Sequence, residues 1–126
     1  MWTYCQSTGV LTDRNGNTVA TGYSGHPPSV NMPGDQFIHN QGPIPQGSYS
    51  IGPSFTHPLA GPVTMRLTPL PPTDTQGRDG FMMHGDLPPG PDGNSTYMAS
   101  EGCVIMPRSA RTAVSLSADR ILIVVP

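Results

Sequence analysis

Glycine and proline interrupt this sequence so often that turns and loops must occupy much of the fold. The 15 glycines and 16 prolines make up about a quarter of the 126 residues. Such a composition borders on that of disordered chains, but disorder usually also needs a high net charge. Here the formal net charge is −2, and only 11% of the residues are charged. We therefore predict one folded, loop-rich, mainly β domain that spans residues 1–126.

The charge balance and the hydropathy argue against several classes of function. Six Lys and Arg residues against eight Asp and Glu residues leave no basic stripe for nucleic acid. No run of 18 apolar residues is present, so we expect no membrane span. The first ten residues lack the basic and apolar regions of a secretory signal. The sequence thus predicts a protein made in the cytoplasm without a visible signal peptide.

Short strands are predicted along most of the chain. Asn15-Gly16, between the apolar segments 10–12 and 18–20, predicts a hairpin with a type I′ turn. Alternating or apolar patterns predict further strands in the segments 48–51, 63–68, 81–84, 103–106 and 120–125. Small and apolar residues at helical spacing after a proline predict one short helix within residues 107–118.

Two residues at the ends of a polar loop are the strongest candidates for chemistry. His84 ends one predicted strand, Cys103 begins another, and the segment between them is rich in Pro, Gly and Ser. An imidazole that accepts the proton of a thiol creates a thiolate nucleophile. Gly102 permits a close approach of the backbone to a substrate, and backbone N–H groups around Gly102 and Cys103 would form an oxyanion hole.

Other interpretations of these residues stay open at this point. A lone cysteine in an apolar run is more often a small buried hydrophobic residue than a nucleophile, and a disulfide to Cys5 would silence Cys103. His84, Asp86 and Cys103 lack the spacing of a zinc site, so no metal and no cofactor is expected. The remaining histidines lie in loop-like sequence and suggest no shared site; they are His26, His39 and His57.

The segment between the two candidates resembles the signature of the L,D-transpeptidase (YkuD-like) family. That signature is His-Gly, a spacer of about fifteen residues, and then Ser/Thr-x-Gly-Cys with a hydrophobic residue. Here it stands as His84-Gly85 and Ser100-Glu101-Gly102-Cys103-Val104. The stretches "GPIPQGSYSIG", "RDGFMMHG" and "ILIVV" are similar to the flanking strands of the family. With "WTYCQSTGVL" at its start, the chain most resembles the compact L,D-transpeptidase effectors of type VI secretion.

This resemblance implies a fold and a reaction. The fold is a YkuD-like β-sandwich or flattened barrel with one short helix near the C-terminal region. The activity is that of an L,D-carboxypeptidase or L,D-transpeptidase on the tetrapeptide stems of peptidoglycan. Cys103 is the implied nucleophile and His84 the acid-base residue. Ser100 and Gly102 shape the nucleophile turn, and a backbone carbonyl near Ser100 orients the imidazole.

The resemblance also leads us to expect substrate-binding residues around this pair. Arg108 or Arg111 is the candidate clamp for a substrate carboxylate, because a guanidinium binds that group in bidentate fashion. A solvated helix face is the alternative for either arginine. Gly85, Glu101 and Tyr97 complete the candidate set.

The chain departs from the family pattern at two positions. Glu101 stands where the usual motif has a second histidine, which puts the acceptor specificity in doubt. Ile105 occupies a place where the family tends to carry Arg or Asn. The Pro/Gly-rich loop of residues 86–99 is expected to form a lid over the cleft.

The expected partners and the rival functions follow from the same comparison. An effector that attacks peptidoglycan implies a cognate immunity protein, and we expect a monomer delivered to the periplasm of a target bacterium. The alternatives are a non-catalytic β-sandwich module for cell-wall binding or structure, and a cysteine hydrolase of ordinary L,L peptides. A catalytic Cys103 is expected to react with iodoacetamide faster than Cys5.

Overall fold

Ten short strands form one strongly curved sheet in the computed structural model, which describes all residues 1–126. The strands are β1 (Trp2–Cys5), β2 (Val10–Thr12), β3 (Thr18–Thr21), β4 (Tyr23–Ser24), β5 (Gly47–Ile51), β6 (Phe55–His57), β7 (Gly61–Pro69), β8 (Met82–His84), β9 (Val104–Ile105) and β10 (Ile121–Val125). A 3-10 turn covers Pro33–Asp35, and helix α1 covers Arg108–Leu116.

The strands follow the order β3-β2-β1-β10-β5-β7-β8-β9-β4, and β6 pairs with β7 beside this path. The sheet is a nearly closed barrel, so the predicted mainly β fold with one short helix is confirmed. Two neighbouring pairs are parallel, namely β1 with β10 and β8 with β9. The first pair joins the two ends of the chain, and the second positions the candidate site.

The predicted hairpin around Gly16 is confirmed, but its turn type is not. Strands β2 and β3 pair antiparallel. A type I′ turn needs positive φ at both central residues, whereas Gly16 has φ +82° and Asn15 does not have a positive φ. Asp13 explains the difference, because its carboxylate accepts hydrogen bonds from the backbone N–H groups of Asn15 and Asn17. This side chain stabilises a wider loop than Asn-Gly alone predicts.

Helix α1 lies where its sequence pattern predicts it. Pro107 precedes the first residue, where its fixed φ suits a helix start and its missing N–H costs nothing. Ala110 and Val114 are buried against the sheet. Beyond the other end of α1, Arg120 connects this end of the helix to the end of β5. It donates to the backbone carbonyls of Ile51, Gly52, Val114, Ser115 and Ser117. No helix of the structure has the length and apolar character needed to span a membrane.

The barrel interior holds the hydrophobic core. A cluster of 16 buried residues fills it, and these include Met65, Met83, Val104 and Leu122. In β10, burial alternates, with Leu122 and Val124 inside, as expected for a strand with one face toward the core. Because Met83 and Val104 point inward, their neighbours along β8 and β9 point to the outer face of the sheet.

The central position of Leu122 leads to a stability prediction. Its side chain is 0% exposed, whereas Leu116 at the end of α1 is 82% exposed. Leu122→Ala is expected to lower the free energy of unfolding by about 2–5 kcal/mol, because the lost burial is accompanied by a cavity. Leu116→Ala is the matched control and should change it by less than about 0.5 kcal/mol. Urea titration of both variants checks this, and equal losses would contradict the assigned core.

Candidate active site

The parallel pairing of β8 and β9 brings His84 and Cys103 to one face of the sheet. Met83 is paired with Val104, and one step back along the same register Cys103 lies opposite Met82. Residues two apart on a strand share a face, so His84, Met82 and Cys103 all point outward. Strand geometry places the Cα atoms of His84 and Cys103 about 8 Å apart, which is within reach of an imidazole and a thiol around a bound substrate.

His84 and Cys103 both line a cleft of about 440 Å³ on this outer face. Its walls come from residues 57, 59–60, 79–82, 84–87, 98–99 and 101–103, with Asn40 at one side. No hydrogen bond joins the Cys103 thiol to the His84 imidazole. The two groups therefore face a common space in which a reacting carbonyl would lie between them.

The His84 imidazole is held in the form that acts as a base. Its Nδ1 lies 2.8 Å from the carbonyl oxygen of Gly85. Since a carbonyl only accepts, Nδ1 carries the proton and Nε2 keeps a free lone pair. Burial lowers the pKa of His84, and the nearby charges of Arg111 and His57 lower it further. The imidazole is thus neutral at neutral pH. Its orienting carbonyl belongs to Gly85, which corrects the expectation of a carbonyl near Ser100.

The Cys103 thiol is protonated at rest. Burial raises the pKa of Cys103 to about 11, and Glu101 adds to the increase. The backbone N–H of Met82 and the charge of Arg78 act in the opposite direction but do not outweigh burial. A thiol with this pKa needs a base to become a nucleophile at neutral pH, and the free Nε2 of His84 is suited to that role.

The two cysteines are unbonded and differ in their surroundings. Both thiols are free, so the alternative of a Cys5–Cys103 disulfide is not realised. Cys5 lies at the end of β1, 3.4 Å from the carbonyl of Pro126. Hydrogen bonds from Ser7 and Thr8 lower the pKa of Cys5. The directions of the two pKa shifts therefore favour ionisation of Cys5 over ionisation of Cys103.

Ser100 builds the turn that leads into Cys103. Its buried hydroxyl donates to the carbonyl of Cys103 at 2.6 Å and accepts from the N–H of Gly102 and the N–H of Gly25. The hydrogen bond from the N–H of Gly25 connects this turn to the end of β4. Because the Gly102 N–H is engaged by Ser100, it is not free to donate to an oxyanion, contrary to the sequence-based expectation.

Gly102 occupies a position that other residues fill poorly. Its φ is +132°, and a Cβ there would lie 2.5 Å from the Arg78 guanidinium. Gly102→Ala is therefore expected to cost about 1–3 kcal/mol in the free energy of unfolding and to misplace Cys103. The control is Gly34→Ala, because a Cβ at Gly34 meets nothing within 4 Å. Urea titration of both variants measures the free energy of unfolding. Equal values for the two variants would contradict a structural requirement for glycine at position 102.

The predicted substrate-binding residues divide between two neighbouring pockets. Gly85 and Glu101 line the cleft with Cys103. Arg108, Arg111 and Tyr97 line a second pocket of about 440 Å³. They do not line the cleft, so the expected clamp beside the nucleophile is not formed by these arginines. The two pockets share one lining residue, Asp86.

Arg111 is held by the fold and is not a solvated surface residue. Its side chain is buried, and it donates to the backbone carbonyls of Met106, Pro62 and Val63. These contacts fasten the first turns of α1 to the start of β7. The guanidinium also lies against Gly85, where an added Cβ would be 2.8 Å from its Nη2 atom. Arg111 therefore supports the His84–Gly85 segment from behind, and its charge adds to the effect of burial in lowering the pKa of His84.

The loop of residues 86–99 forms one wall of both pockets and is anchored at Asp86. Tyr23 donates to one carboxylate oxygen of Asp86 at 2.7 Å, and Ser95 donates to the other at 2.6 Å. The Tyr23 hydroxyl in turn accepts from the N–H of Ala99. These bonds close the loop on itself, with the exposed side chains of Leu87 and Met98 lining the cleft. The structure thus gives Asp86 the loop-anchoring role.

Two residues near the pair were not predicted from the sequence. His57, expected to share no site, lines the same cleft as His84. Its Nδ1 accepts from the backbone N–H groups of Leu59 and Ala60, both at 3.0 Å, so its Nε2 carries the proton. Arg78 lies beside the Glu101–Gly102 turn that leads into Cys103. Local sequence gives no signal for either, because the pairing of β6 with β7 places His57 and hydrogen bonds to the carbonyls of a distant loop place Arg78.

The cleft holds groups that are suited to proton transfer. No group of three or more His, Cys, Asp or Glu side chains is arranged to hold a metal ion. The cleft instead offers a neutral imidazole, a protonated thiol and the Nε2–H of His57.

Comparison with known proteins identifies a family match. The family model described as the Tlde1 domain matches residues 18–122. The matched region runs from β3 into β10 and contains both His84 and Cys103. No curated protein sequence matches the chain.

Proposed function

Since this chain belongs to the Tlde1 domain family, and this membership indicates a type VI secretion effector with cell-wall-modifying activity, we propose that it is a cysteine-dependent L,D-carboxypeptidase or L,D-transpeptidase of peptidoglycan stems. One observation carries the proposal. A neutral imidazole with a free Nε2 and a protonated thiol face one cleft from adjacent parallel strands. This arrangement suits acyl transfer through a thioester.

In the first step, Cys103 attacks the carbonyl carbon of the third stem residue. His84 Nε2 takes the thiol proton as the S–C bond forms, and the imidazolium then gives that proton to the leaving nitrogen. The C–N bond breaks, D-alanine leaves as the amine, and the acyl group stays on Cys103 as a thioester. The resting pKa values of His84 and Cys103 fit a proton that moves during attack.

In the second step, an acceptor resolves the thioester. The acceptor gives a proton to His84, attacks the thioester carbon and displaces the Cys103 sulfur, which regains a proton from the imidazolium. Water as acceptor gives carboxypeptidase activity, a free D-amino acid gives exchange, and the amine of a second stem gives a 3–3 cross-link. No other co-reactant is needed.

The charges around the cleft support a diamino acid at the third stem position. Asp79 and Glu101 line the cleft with exposed carboxylates, and a free side-chain amine is their natural partner. The second pocket carries Arg108 and Arg111. We assign this pocket, through the exposed side chain of Arg108, to a carboxylate of the acceptor or of the rest of the stem, in place of the clamp expected beside Cys103.

The same proposal covers the cell biology. The protein would be made in the cytoplasm, delivered by type VI secretion to the periplasm of a target bacterium, and act there as a monomer. A cognate immunity protein would block the cleft in the producer. The exposed apolar side chains of Leu59, Leu87 and Met98 at the rim of the cleft are suited to such a contact.

The test is mass spectrometry of purified disaccharide-tetrapeptide incubated with the protein, with and without D-methionine. Loss of the terminal alanine identifies a carboxypeptidase, and its replacement by methionine identifies exchange. Thermal unfolding of the same sample shows that the protein is folded. An unchanged substrate with folded protein would contradict the proposed reaction and favour a non-catalytic cell-wall-binding module.

A further inference from the structure

Arg78 is a buried cation without an anionic partner. Its side chain is only 6% exposed. Its guanidinium donates to four backbone carbonyls, those of Gln36, Gly42, Pro43 and Glu101. No carboxylate lies within ion-pair distance, since the one ion pair of the structure joins the N-terminus to Asp119. Carbonyl dipoles solvate the guanidinium but leave its full positive charge in place.

The position of this charge is defined by the nucleophile turn. The Nη2 atom lies 3.0 Å from the carbonyl of Glu101 and would touch a Cβ at Gly102. The ring of Phe81 packs under the guanidinium, 5.6 Å from its central carbon. Arg78 is thus fixed on one side by the 36–43 loop and on the other by the two residues that precede Cys103.

We infer that Arg78 is the positioning residue of the nucleophile: it clamps the Glu101–Gly102 turn and provides the fixed positive charge that an anion formed at Cys103 faces. The inference rests on the proposed function for its role in turnover, but not for its effect on the thiol. A buried cation favours a nearby thiolate or oxyanion strongly, because little water screens the pair. The mutual influence of Arg78 and Cys103 on their pKa values has this sign.

The other charged groups around the thiol do not replace Arg78. Glu101 is exposed and disfavours a thiolate, and the Asp79 carboxylate in the same cleft has the same sign of charge. His84 and His57 are the remaining titratable groups that line the cleft near Cys103, together with Asp86. His84 is neutral before attack. Arg78 is therefore the permanent cation nearest to the turn.

The first experiment measures alkylation of Cys103 by iodoacetamide between pH 7 and 10, in a Cys5→Ser background. In this range the rate is proportional to the thiolate fraction. Arg78→Gln removes the charge and is expected to slow alkylation about tenfold at each pH, which corresponds to a rise of one unit in the thiol pKa. An unchanged rate in folded Arg78→Gln overturns the inference.

The matched control is Arg120→Gln. Arg120 likewise donates to five backbone carbonyls, but it lies after the end of α1 and does not line the cleft. Its loss costs similar hydrogen bonds and should leave the alkylation rate of Cys103 unchanged. A tenfold decrease in this variant as well would show a general loss of structure and would overturn the specific role of Arg78.

A second variant, Arg78→Lys, keeps the charge but lacks the planar fork that makes four carbonyl contacts. It is expected to alkylate within about threefold of the parent and to turn over stem peptide at least tenfold more slowly. If Arg78→Lys turns over stem peptide at the wild-type rate, the clamping role is overturned. This test remains decisive even if Arg78→Gln fails to fold. If the parent protein itself leaves stem peptide unchanged, the proposed reaction fails, whereas the alkylation series still decides the effect on the thiol.

Discussion

Replacing Cys103 with alanine is expected to abolish turnover of peptidoglycan stems, with a loss of at least about 1,000-fold in the rate. The sulfur forms the acyl intermediate, and nothing else in the cleft is a comparable nucleophile. The remaining lining groups are histidines, carboxylates, the amide of Asn40, apolar side chains and backbone. The measurement is the rate of D-alanine release, followed by mass spectrometry on samples matched in thermal unfolding.

Cys5→Ala is the matched control for that variant. It removes the other thiol, which lies at the end of β1 and outside the cleft. Its turnover should equal that of the parent, although its pKa makes Cys5 the more readily ionised thiol. Residual activity in Cys103→Ala above a tenth of the parent rate would rule out the thioester route.

The second large effect concerns His84 and pH. His84→Gln keeps a polar side chain of similar size but has no titratable nitrogen, so turnover is expected to fall by about 100- to 10,000-fold. His39→Gln is the control, because His39 lies on the surface, where it contacts the carbonyl of Gln76, and does not line the cleft. Rates within tenfold of the parent for His84→Gln would exclude His84 as the base.

The pH profile of the parent protein follows from the directions of the two pKa shifts. The reactive form has a neutral His84 and a protonated Cys103. It is lost when acid protonates His84, whose pKa lies below 6.5, and when base ionises Cys103 near a pH of about 11. We expect kcat/KM to rise with pH up to the His84 pKa and then to stay flat through pH 10. A tenfold rise per unit between pH 7 and 10 would instead indicate direct attack by a pre-formed thiolate.

Local sequence patterns were sufficient for much of the secondary structure. The alternation in β7, the apolar runs of β8 and β10 and the spacing in α1 all depend on neighbours within a few residues, and each element lies where its pattern predicts it. The Gly16 hairpin was placed correctly, but its turn type depended on the Asp13 side chain, which a dipeptide pattern does not include.

The environment of the site depended on contacts that local patterns do not contain. Strand β6 and its His57 are placed by pairing with β7, and Arg78 is placed by carbonyls of a loop about forty residues earlier in the chain. Arg111 matched the residue type wanted for a clamp, yet its side chain is used within the fold. Residue type and spacing indicate candidates, whereas burial and long-range pairing decide which groups face the substrate.

The parallel pairing of β1 with β10 has a consequence for how the molecule assembles. Trp2 is paired with Leu122, and β10 separates β1 from β5 in the strand order. Without β10, the β1–β2–β3 segment has no strand pairing with the rest of the sheet. A nascent chain therefore keeps two unpaired edges, on β1 and β5, until β10 has been synthesised. Such high contact order is typical of slow folding, and this protein completes its barrel only after translation has passed residue 125.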